Sequence, residues 1–189
     1  EAPEQTLKSS IFPIGKALSN ELFHCVEEVF PTAYWPELSR IAVAIGPGSF
    51  TATRATVVMA RTLAQQINCP LDGISSFFLM APRLATALKE KQRYKPFWIT
   101  QELPRRGTIG GKYQIIRNKE INDFDNSVEL VQPHLLSNNM KIKPCINASE
   151  NVNEDILMLL KSSLLRHTSS QRSFWNDVLP IYPTSPVQA

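Results

Sequence analysis

The first half of this chain contains two short strand patterns separated by a helical pattern. Residues 41–45 are continuously apolar, which predicts a buried strand, and residues 71–74 predict a second one. Residues 55–67, between them, have the spacing of a helix. The two strands of a strand–helix–strand unit are parallel and joined by a right-handed crossover. The pattern therefore predicts an α/β fold.

Further elements are predicted on both sides of this unit. Residues 16–30 have an amphipathic helical pattern, which Pro31 ends. Residues 97–100 and 113–117 are β-prone and predict a hairpin. The apolar stripe of the first helix consists of Leu18, Leu22, Cys25, Val26 and Val29. The remaining predicted elements are strands at 5–10, 128–131 and 141–146, and helices at 75–87, 133–139 and 155–166.

The last predicted helix has an apolar side of its own. This side consists of Ile156, Leu159, Leu160, Ser163 and Leu164. The order of the elements predicts two subdomains, an N-terminal α/β subdomain over residues 1–95 and a smaller C-terminal α/β subdomain over residues 96–189.

A Gly-Pro-Gly turn joins the first predicted strand to its helix. Gly46 and Gly48 permit backbone angles that other residues avoid, and Pro47 fixes one φ angle between them. Either Ser49 or Thr51 can cap the helix by accepting from its unpaired amides. Since helix N-termini bind anions, residues Gly46, Gly48, Ser49 and Thr51 form a candidate phosphate loop. The alternative is a tight turn without a ligand.

Small side chains form a ridge along the helix after this turn. Ala52, Thr56, Ala60 and Ala64 lie four residues apart and so share one face. Such a ridge allows a second helix to approach closely. Two coverings are possible from the sequence: the helix at 16–30 of the same chain, or a partner protein.

Composition narrows the classes of function. The chain has 189 residues, 43% of them hydrophobic, and a formal net charge of +3, which is ordinary for a globular protein. No apolar run approaches the roughly 20 residues of a membrane helix. The three cysteines and three histidines are scattered, so we predict no metal site and no cofactor, in a reducing, cytoplasmic setting. No paired carboxylates or P-loop lysine motif point to catalysis.

The charge is unevenly distributed along the chain. Residues 83–119 contain ten lysines and arginines and two acids, whereas residues 120–155 contain seven acids and two lysines. A basic face of this kind either is solvated surface or attracts RNA or an acidic partner. Arg105 and Arg106, on a turn between Pro104 and Gly107, are the residues best placed to steer tRNA through its phosphates.

Residues 41–76 resemble the bacterial TsaB (YeaZ) family. The family pattern is an apolar strand, the turn Gly-(Pro/Arg)-Gly-Ser-Phe-Thr, a helix rich in small residues that opens with an arginine, a second strand and a Ser-Ser or Ser-Thr turn. This chain has Gly-Pro-Gly-Ser-Phe-Thr at 46–51, Arg54, and Ser75-Ser76. Two further blocks are similar: Leu-Pro-Arg-Arg-Gly at 103–107, where the family has Asp-Ala-Arg-x-Gly, and Leu-Pro-Ile-Tyr-Pro at 179–183, near its closing Pro-x-Tyr-Leu-Arg.

The resemblance implies a fold, a role and an interface. The fold is the actin/sugar-kinase/Hsp70-like (ribonuclease H-like) α/β fold, with a mixed sheet and flanking helices. The role is that of a non-catalytic subunit that activates a TsaD-like enzyme, with a TsaE-like ATPase, in forming threonylcarbamoyladenosine in tRNA. The partner is the TsaD-like paralogue or a second TsaB, and tRNA is reached through the complex. The matching interface positions are Leu18, Leu22, Val26, Val29, Ala52, Thr56 and Met59, to which the ridge adds Ala60.

The chain also departs from the family pattern. The family opens with a strand ending in Asp-Thr-Ser, for which this sequence has no counterpart, so we expect N-terminal strands to be missing. A different interpretation is a phosphate-handling, ATP-binding enzyme of the same superfamily that uses the loop at 46–51. Such an enzyme needs an acid near the phosphates to hold magnesium, and Asp72 is the only acid nearby.

Overall fold

The computed structural model describes residues 7–117, 125–137, 140 and 142–184. Its helices are α1 (Leu18–Val29), α2 (Phe50–Ile67), α3 (Ser76–Ala85), α4 (Glu90–Arg93) and α5 (Val152–Thr168). Its strands are β1 (Ile41–Ala44), β2 (Leu71–Ile74), β3 (Phe97–Leu103), β4 (Gly107–Arg117), β5 (Asp125–Leu135) and β6 (Cys145–Asn147). Short 3₁₀ helices cover Gly15–Ala17, Thr32–Glu37 and Trp175–Asp177.

The predicted strand–helix–strand unit is confirmed. Strands β1 and β2 are parallel, with Ile41 opposite Leu71 and Ala44 opposite Ile74, and α2 connects them. Helix α2 packs on this sheet through Val57, which has no exposed surface. The core of this unit consists of Val43, Val57, Ala60, Ala64, Cys69, Leu71 and Val178.

The second sheet has four strands in the order β5-β4-β3-β6. The predicted hairpin is confirmed as the antiparallel pair β3–β4. Strand β5 pairs antiparallel with β4, and β6 pairs parallel with β3, so this sheet is mixed. The register of β4 against β5 shifts between Gly110 and Lys112, where the Gly-Gly pair allows an irregularity.

A side chain of β5 supports α3 where its own hydrogen bonding is interrupted. Pro82 lies inside α3 and has no amide proton for the carbonyl of Phe78, four residues earlier. Ser127 Oγ of β5 donates to that carbonyl at 3.4 Å. Helix α3 therefore continues past the proline against the second sheet, where Phe77, Met80 and other residues enter the larger core.

Several predicted elements are wrong. Residues 7–10 of the predicted first strand have no regular structure, and residues 5 and 6 lie outside the described part. The helix predicted at 133–139 is strand β5 as far as Leu135; its remaining described residues, 136 and 137, have no regular structure. Pro133 lies where the β4–β5 register is interrupted, between the pairs of Val131 and His134, so its missing amide proton costs no ladder bond. In the segment 141–146, described from residue 142, only residues 145 and 146 belong to a strand.

The last part of the chain returns to the first sheet. Helix α5 packs against β1 and α3, and Val178 belongs to the core around α2. The amide of Ile181 donates to the carbonyl of Ile45 at 2.8 Å. The predicted subdomain boundary at residue 95 would therefore separate the β1–α2–β2 unit from α5 and from Val178 and Ile181, which pack against it.

The predicted apolar side of α5 is partly wrong. Ser163 is buried at 7% exposure, whereas Ile156, Leu160 and Leu164 are 42%, 40% and 50% exposed. The reason lies in β2, where the buried carboxylate of Asp72 accepts a hydrogen bond from Ser163. The helix is oriented by this polar contact as well as by Met158, which is buried in the core.

Candidate functional site

The Gly-Pro-Gly turn is held tightly at its first residue. Gly46 has φ +96, a conformation that L side chains rarely adopt. Its carbonyl accepts from the amide of Ser76 at 2.7 Å. A Cβ at Gly46 would also lie 3.2 Å from the carbonyl oxygen of Ile181. The turn therefore requires glycine at this position on two independent grounds.

The second half of the turn faces solvent. Gly48, Ser49 and Thr51 are exposed, whereas Gly46 is buried. Ser49 is the N-cap of α2, and its side chain accepts from the amide of Ala52 at 3.5 Å. Of the two predicted capping residues, the structure assigns Ser49. The candidate phosphate loop thus has an accessible side at the start of an 18-residue helix.

The three sequence blocks that carry the family resemblance meet around one cavity. This cavity has a volume of about 390 Å³ and is lined by Pro47 and Phe50 of the first block, Arg106 of the second and Tyr182 of the third. The rings of Phe50 and Tyr182 pack with their centroids 4.8 Å apart. Since these blocks are far apart in sequence, their convergence is a property of the fold.

The two predicted arginines lie at the tip of the β3–β4 hairpin. Arg105 has φ +64, and the amide of Arg106 donates to the carbonyl of Leu103 at 3.0 Å. Both side chains are exposed, and Arg106 lines the cavity whereas Arg105 does not. Neither arginine forms a salt bridge with a side chain in the described ranges.

Asp72 is enclosed by hydrogen-bond donors. Its side chain is fully buried and lies 2.9 Å from Arg40, 2.7 Å from Ser173, 2.9 Å from Ser163 and 3.4 Å from Arg166. Burial alone would raise the pKa of Asp72, but hydrogen bonds from Ser173, Arg40 and Ser163 and the charge of Arg40 hold it below its ordinary value. Both carboxylate oxygens are occupied, so Asp72 does not provide the magnesium ligand that a phosphate-handling enzyme needs.

Helix α1 presents an amphipathic stripe that the chain covers incompletely. No residue of α1 is buried, although the helix contacts α2. The four predicted interface positions, Leu18, Leu22, Val26 and Val29, are all of intermediate exposure. Beside them Phe23 is 46% exposed and packs edge-on against Trp35 at 5.4 Å.

The predicted small ridge of α2 runs from the surface into the core. Ala52, Thr56 and Met59 are partly exposed, and the hydroxyl of Thr56 donates to the carbonyl of Ala52 at 3.0 Å. Ala60, in contrast, is a member of the core around β1 and β2. Its small side chain therefore packs within the chain, and its place in a partner interface stays a prediction.

Metal-binding clusters and membrane-spanning helices are both absent from the described residues. No group of three or more histidine, cysteine, aspartate or glutamate side chains in the described part of the chain is placed to hold a metal ion. Among the same residues, no helix has both the length and the hydropathy needed to cross a membrane.

Solved structures of other proteins have a similar fold. Two solved structures from Pseudomonas aeruginosa share the fold at 16% identity: "an uncharacterized protein with similarity to peptidase YEAZ", with a TM-score of 0.61 over 87% of this chain and 83% of that one, and "YeaZ", with a TM-score of 0.59 over 92% and 86%. The fold is therefore the α/β fold of the YeaZ structures.

Sequence comparison adds two local matches. The tRNA threonylcarbamoyladenosine biosynthesis protein TsaB of Bacillus subtilis (strain 168) is 44% identical over 45 residues, which are 24% of this chain. The match spans about a fifth (20%) of the length of that relative. A family model described as "TsaD: tRNA N6-adenosine threonylcarbamoyltransferase" matches residues 14–99. The B. subtilis match, together with the YeaZ structures, confirms the resemblance to the TsaB (YeaZ) family.

Sequence reasoning missed the polar contacts that organise the interior. An aspartate in the short strand Leu-Asp-Gly-Ile at 71–74 indicates a buried carboxylate that needs hydrogen-bond donors around it. Nothing in the sequence, however, identifies Ser163 and Ser173 as the donors to Asp72. A second group was also missed: Ser75 Oγ lies 3.3 Å from the hydroxyl of Tyr113, which donates to Glu129 Oε1 at 2.9 Å.

Proposed function

We propose that this chain is a non-catalytic scaffold subunit that binds a TsaD-like enzyme in the formation of threonylcarbamoyladenosine in tRNA. The B. subtilis relative and the matching family model both carry names from this modification. The proposal includes the actin/sugar-kinase/Hsp70-like fold and two subdomains, the first completed by the return of α5 and residues 175–181. It also includes a cytoplasmic location.

The observation that carries the proposal is the incomplete covering of α1. Its apolar residues lie along one side of the helix, yet no residue of the helix is buried. Apolar side chains that stay half-exposed on a helix gain free energy when a partner removes them from water, about 25 cal/mol per Å² of apolar surface. Ala52, Thr56 and Met59 of α2 add small or flexible side chains to the same interface, which allow a close helix approach.

The chemistry of this surface favours a protein partner. Helix α1 carries Glu21, Glu27 and Glu28 around its apolar stripe, so it would repel nucleic acid. We therefore assign the TsaD-like paralogue, or a second copy of this chain in its absence, to α1 and α2. A TsaE-like ATPase and tRNA would reach this chain through the assembled complex, tRNA with help from Arg105 and Arg106.

The test replaces one half-exposed residue of the stripe by arginine. Val26→Arg would place a charge in the centre of the interface, and an unpaired buried charge costs several kcal/mol. Affinity for the TsaD-like protein of the same organism, measured by calorimetry, should therefore fall by at least about tenfold. The control is Leu164→Arg, which changes a leucine on α5 that is 50% exposed.

Two outcomes are decisive. Loss of binding in Val26→Arg but not in Leu164→Arg, with both folds intact by circular dichroism, supports the interface. Equal affinity of the two variants and the unchanged chain would exclude the α1 and α2 face. Sedimentation of the chain alone distinguishes the second-copy alternative, since Val26→Arg would then convert a dimer to a monomer.

A second candidate function is supported by the convergence of the three blocks on one cavity. The exposed start of α2 and Arg106 both favour an anion there, as the interpretation as a phosphate-handling enzyme requires. The occupied carboxylate of Asp72 weighs against turnover. We expect the purified chain to hydrolyse no ATP; hydrolysis that persists on repurification and disappears in a Ser49→Ala, Thr51→Ala double variant would reverse this assignment.

A further inference from the structure

A second cavity opens between the end of β2, strand β5 and helix α5. Its volume is about 530 Å³, and it shares no lining residue with the cavity at the Gly-Pro-Gly turn. This volume lies within the range of small-molecule sites, roughly 300–1,000 Å³. The polar residues that line it include Ser75, Ser127, Glu129, Gln132, Ser162 and Arg166.

Glu129 contributes a carboxylate that has only neutral partners. It accepts from the hydroxyl of Tyr113, which is fully buried, and from the side chain of Ser75, whose Oγ also lies 3.3 Å from the Tyr113 hydroxyl. Burial raises the pKa of Glu129, and the two hydroxyls offset this only in part. No basic side chain of the described residues forms a salt bridge with it. A cationic group in the cavity would supply the missing counter-charge.

Arg166 contributes a guanidinium whose ion pair is weak. Its Nη1 lies 3.4 Å from Asp72 Oδ1, whereas Arg40 lies 2.9 Å from the same oxygen. The side chain of Arg166 is 33% exposed. No other hydrogen bond joins it to the described residues. The remaining N–H groups of this guanidinium are thus available to a carboxylate, which arginine binds in a bidentate manner.

Two serines of the cavity are committed as donors. Ser162 Oγ donates to the carbonyl of Met158 at 2.8 Å, and Ser127 Oγ donates to the carbonyl of Phe78 at 3.4 Å. A hydroxyl has one proton, so toward a ligand each of these oxygens can only accept. They therefore add to the preference of Glu129 for a group rich in N–H donors.

We propose that this cavity binds a small zwitterion of the α-amino acid class. Its ammonium group is directed toward Glu129 and the serine oxygens, and its carboxylate toward Arg166. The two charged groups come from different elements, β5 and α5, so a ligand of this kind would also connect the second sheet to the helix that packs on the first. The site is separate from the α1 and α2 surface and does not depend on the proposed scaffold role.

The test measures binding of the twenty proteinogenic L-amino acids, one at a time, by calorimetry on the full chain. At least one should bind saturably. Glu129→Gln and Arg166→Gln, which each remove one charge, should weaken that binding about tenfold or more, while Arg166→Lys retains part of it. The control is Arg54→Gln, at an exposed arginine of α2 that does not line the cavity.

Derivatives of the amino acid that binds provide an arm that needs no variant. The N-acetyl form lacks the ammonium and the methyl ester lacks the carboxylate, so both should lose affinity for the unchanged chain. The N-acetyl form should bind Glu129→Gln only slightly more weakly than it binds the unchanged chain, because the ammonium that Glu129 would contact is already missing. Absence of saturable binding by all twenty amino acids, or binding that neither the charge-removing variants nor the derivatives reduce, would overturn the proposal.

Discussion

The Nη1 nitrogen of Arg40 lies 2.9 Å from Oδ1 and 3.0 Å from Oδ2 of Asp72, and the Asp72 side chain has no exposed surface. The Arg40 side chain is 7% exposed. An ion pair enclosed in this way is costly to break from one side, because the remaining charge loses its partner while it stays buried.

Asp72→Asn should therefore be strongly destabilising. We expect the free energy of unfolding to fall by about 3–5 kcal/mol, since the charge of Arg40 stays in the interior without its carboxylate. Urea denaturation followed by circular dichroism measures the change. Asp155→Asn is the comparison, because the Arg83–Asp155 pair is 20% and 15% exposed and water compensates part of its loss. A cost for Asp72→Asn no larger than that of Asp155→Asn would contradict a structural role for the buried pair.

The stability of the chain should depend on pH through Glu129. Burial raises the pKa of Glu129 from its ordinary value of 4.5, so above that value the folded chain holds a proton that the unfolded chain releases. Stability from this group is present at low pH and is lost as pH rises from 4.5 through the folded pKa. The Glu129→Gln variant cannot lose stability in this way. The free energy of unfolding of the variant, relative to that of the unchanged chain, should therefore increase across this pH window in urea titrations. A difference that stays constant with pH would show that Glu129 titrates normally.

Gly46→Ala should cost more stability than Gly15→Ala. Both glycines have positive φ, +96 and +50, so both substitutions introduce backbone strain, of order 1–2 kcal/mol. Only at Gly46 does the added Cβ also meet the carbonyl of Ile181 at 3.2 Å, whereas nothing lies within 4 Å at Gly15. Thermal unfolding should separate the two variants by at least about 1 kcal/mol. Equal melting temperatures would mean that the contact with Ile181 is readily relieved.

The double variant Arg105→Ala, Arg106→Ala tests the proposed role in tRNA steering. Each exposed arginine that neutralises a phosphate adds about one unit to the dependence of log affinity on log salt. The assembled complex should then bind tRNA more weakly and with a slope smaller by about one to two units. The double variant Arg54→Ala, Arg172→Ala, also at exposed positions, is the control. Unchanged tRNA affinity at every salt concentration would leave these arginines as solvated residues of the hairpin tip.

Local signals explain which parts of the fold could be predicted from the sequence. The apolar run ending at Ile45, the Gly-Pro-Gly turn and the small-residue helix each have a strong local preference, and they agree with the parallel β1–α2–β2 unit. The β3–β4 hairpin has the same kind of local support. Pro133, in contrast, favours a helix start by its own preference, and only the interrupted pairing of β5 with β4 makes it compatible with a strand.

The polar interior could not be predicted because its partners are remote. The orientation of α5 depends on the bond from Ser163 to Asp72, 91 residues apart, and helical spacing contains no information about it. The same holds for Tyr113 and Glu129, which meet only because β4 and β5 pair in one register. The candidate residues Gly46, Gly48, Ser49 and Thr51 can be predicted because they lie in one short segment, 46–51. The association of Gly48 with Arg106 and Tyr182 around one cavity is a result of the fold alone.

The separation of Asp72 from its serines also has a consequence for synthesis. Asp72 leaves the ribosome 91 residues before Ser163 and 101 residues before Ser173, while Arg40 has already emerged. A nascent chain that ends before α5 would have to keep this carboxylate in water, because one arginine does not compensate for its full desolvation. The first parallel strands therefore acquire their final stability only when Ser163 and Ser173 have left the ribosome. A nascent chain that has emerged only as far as about residue 150 should be sensitive to protease.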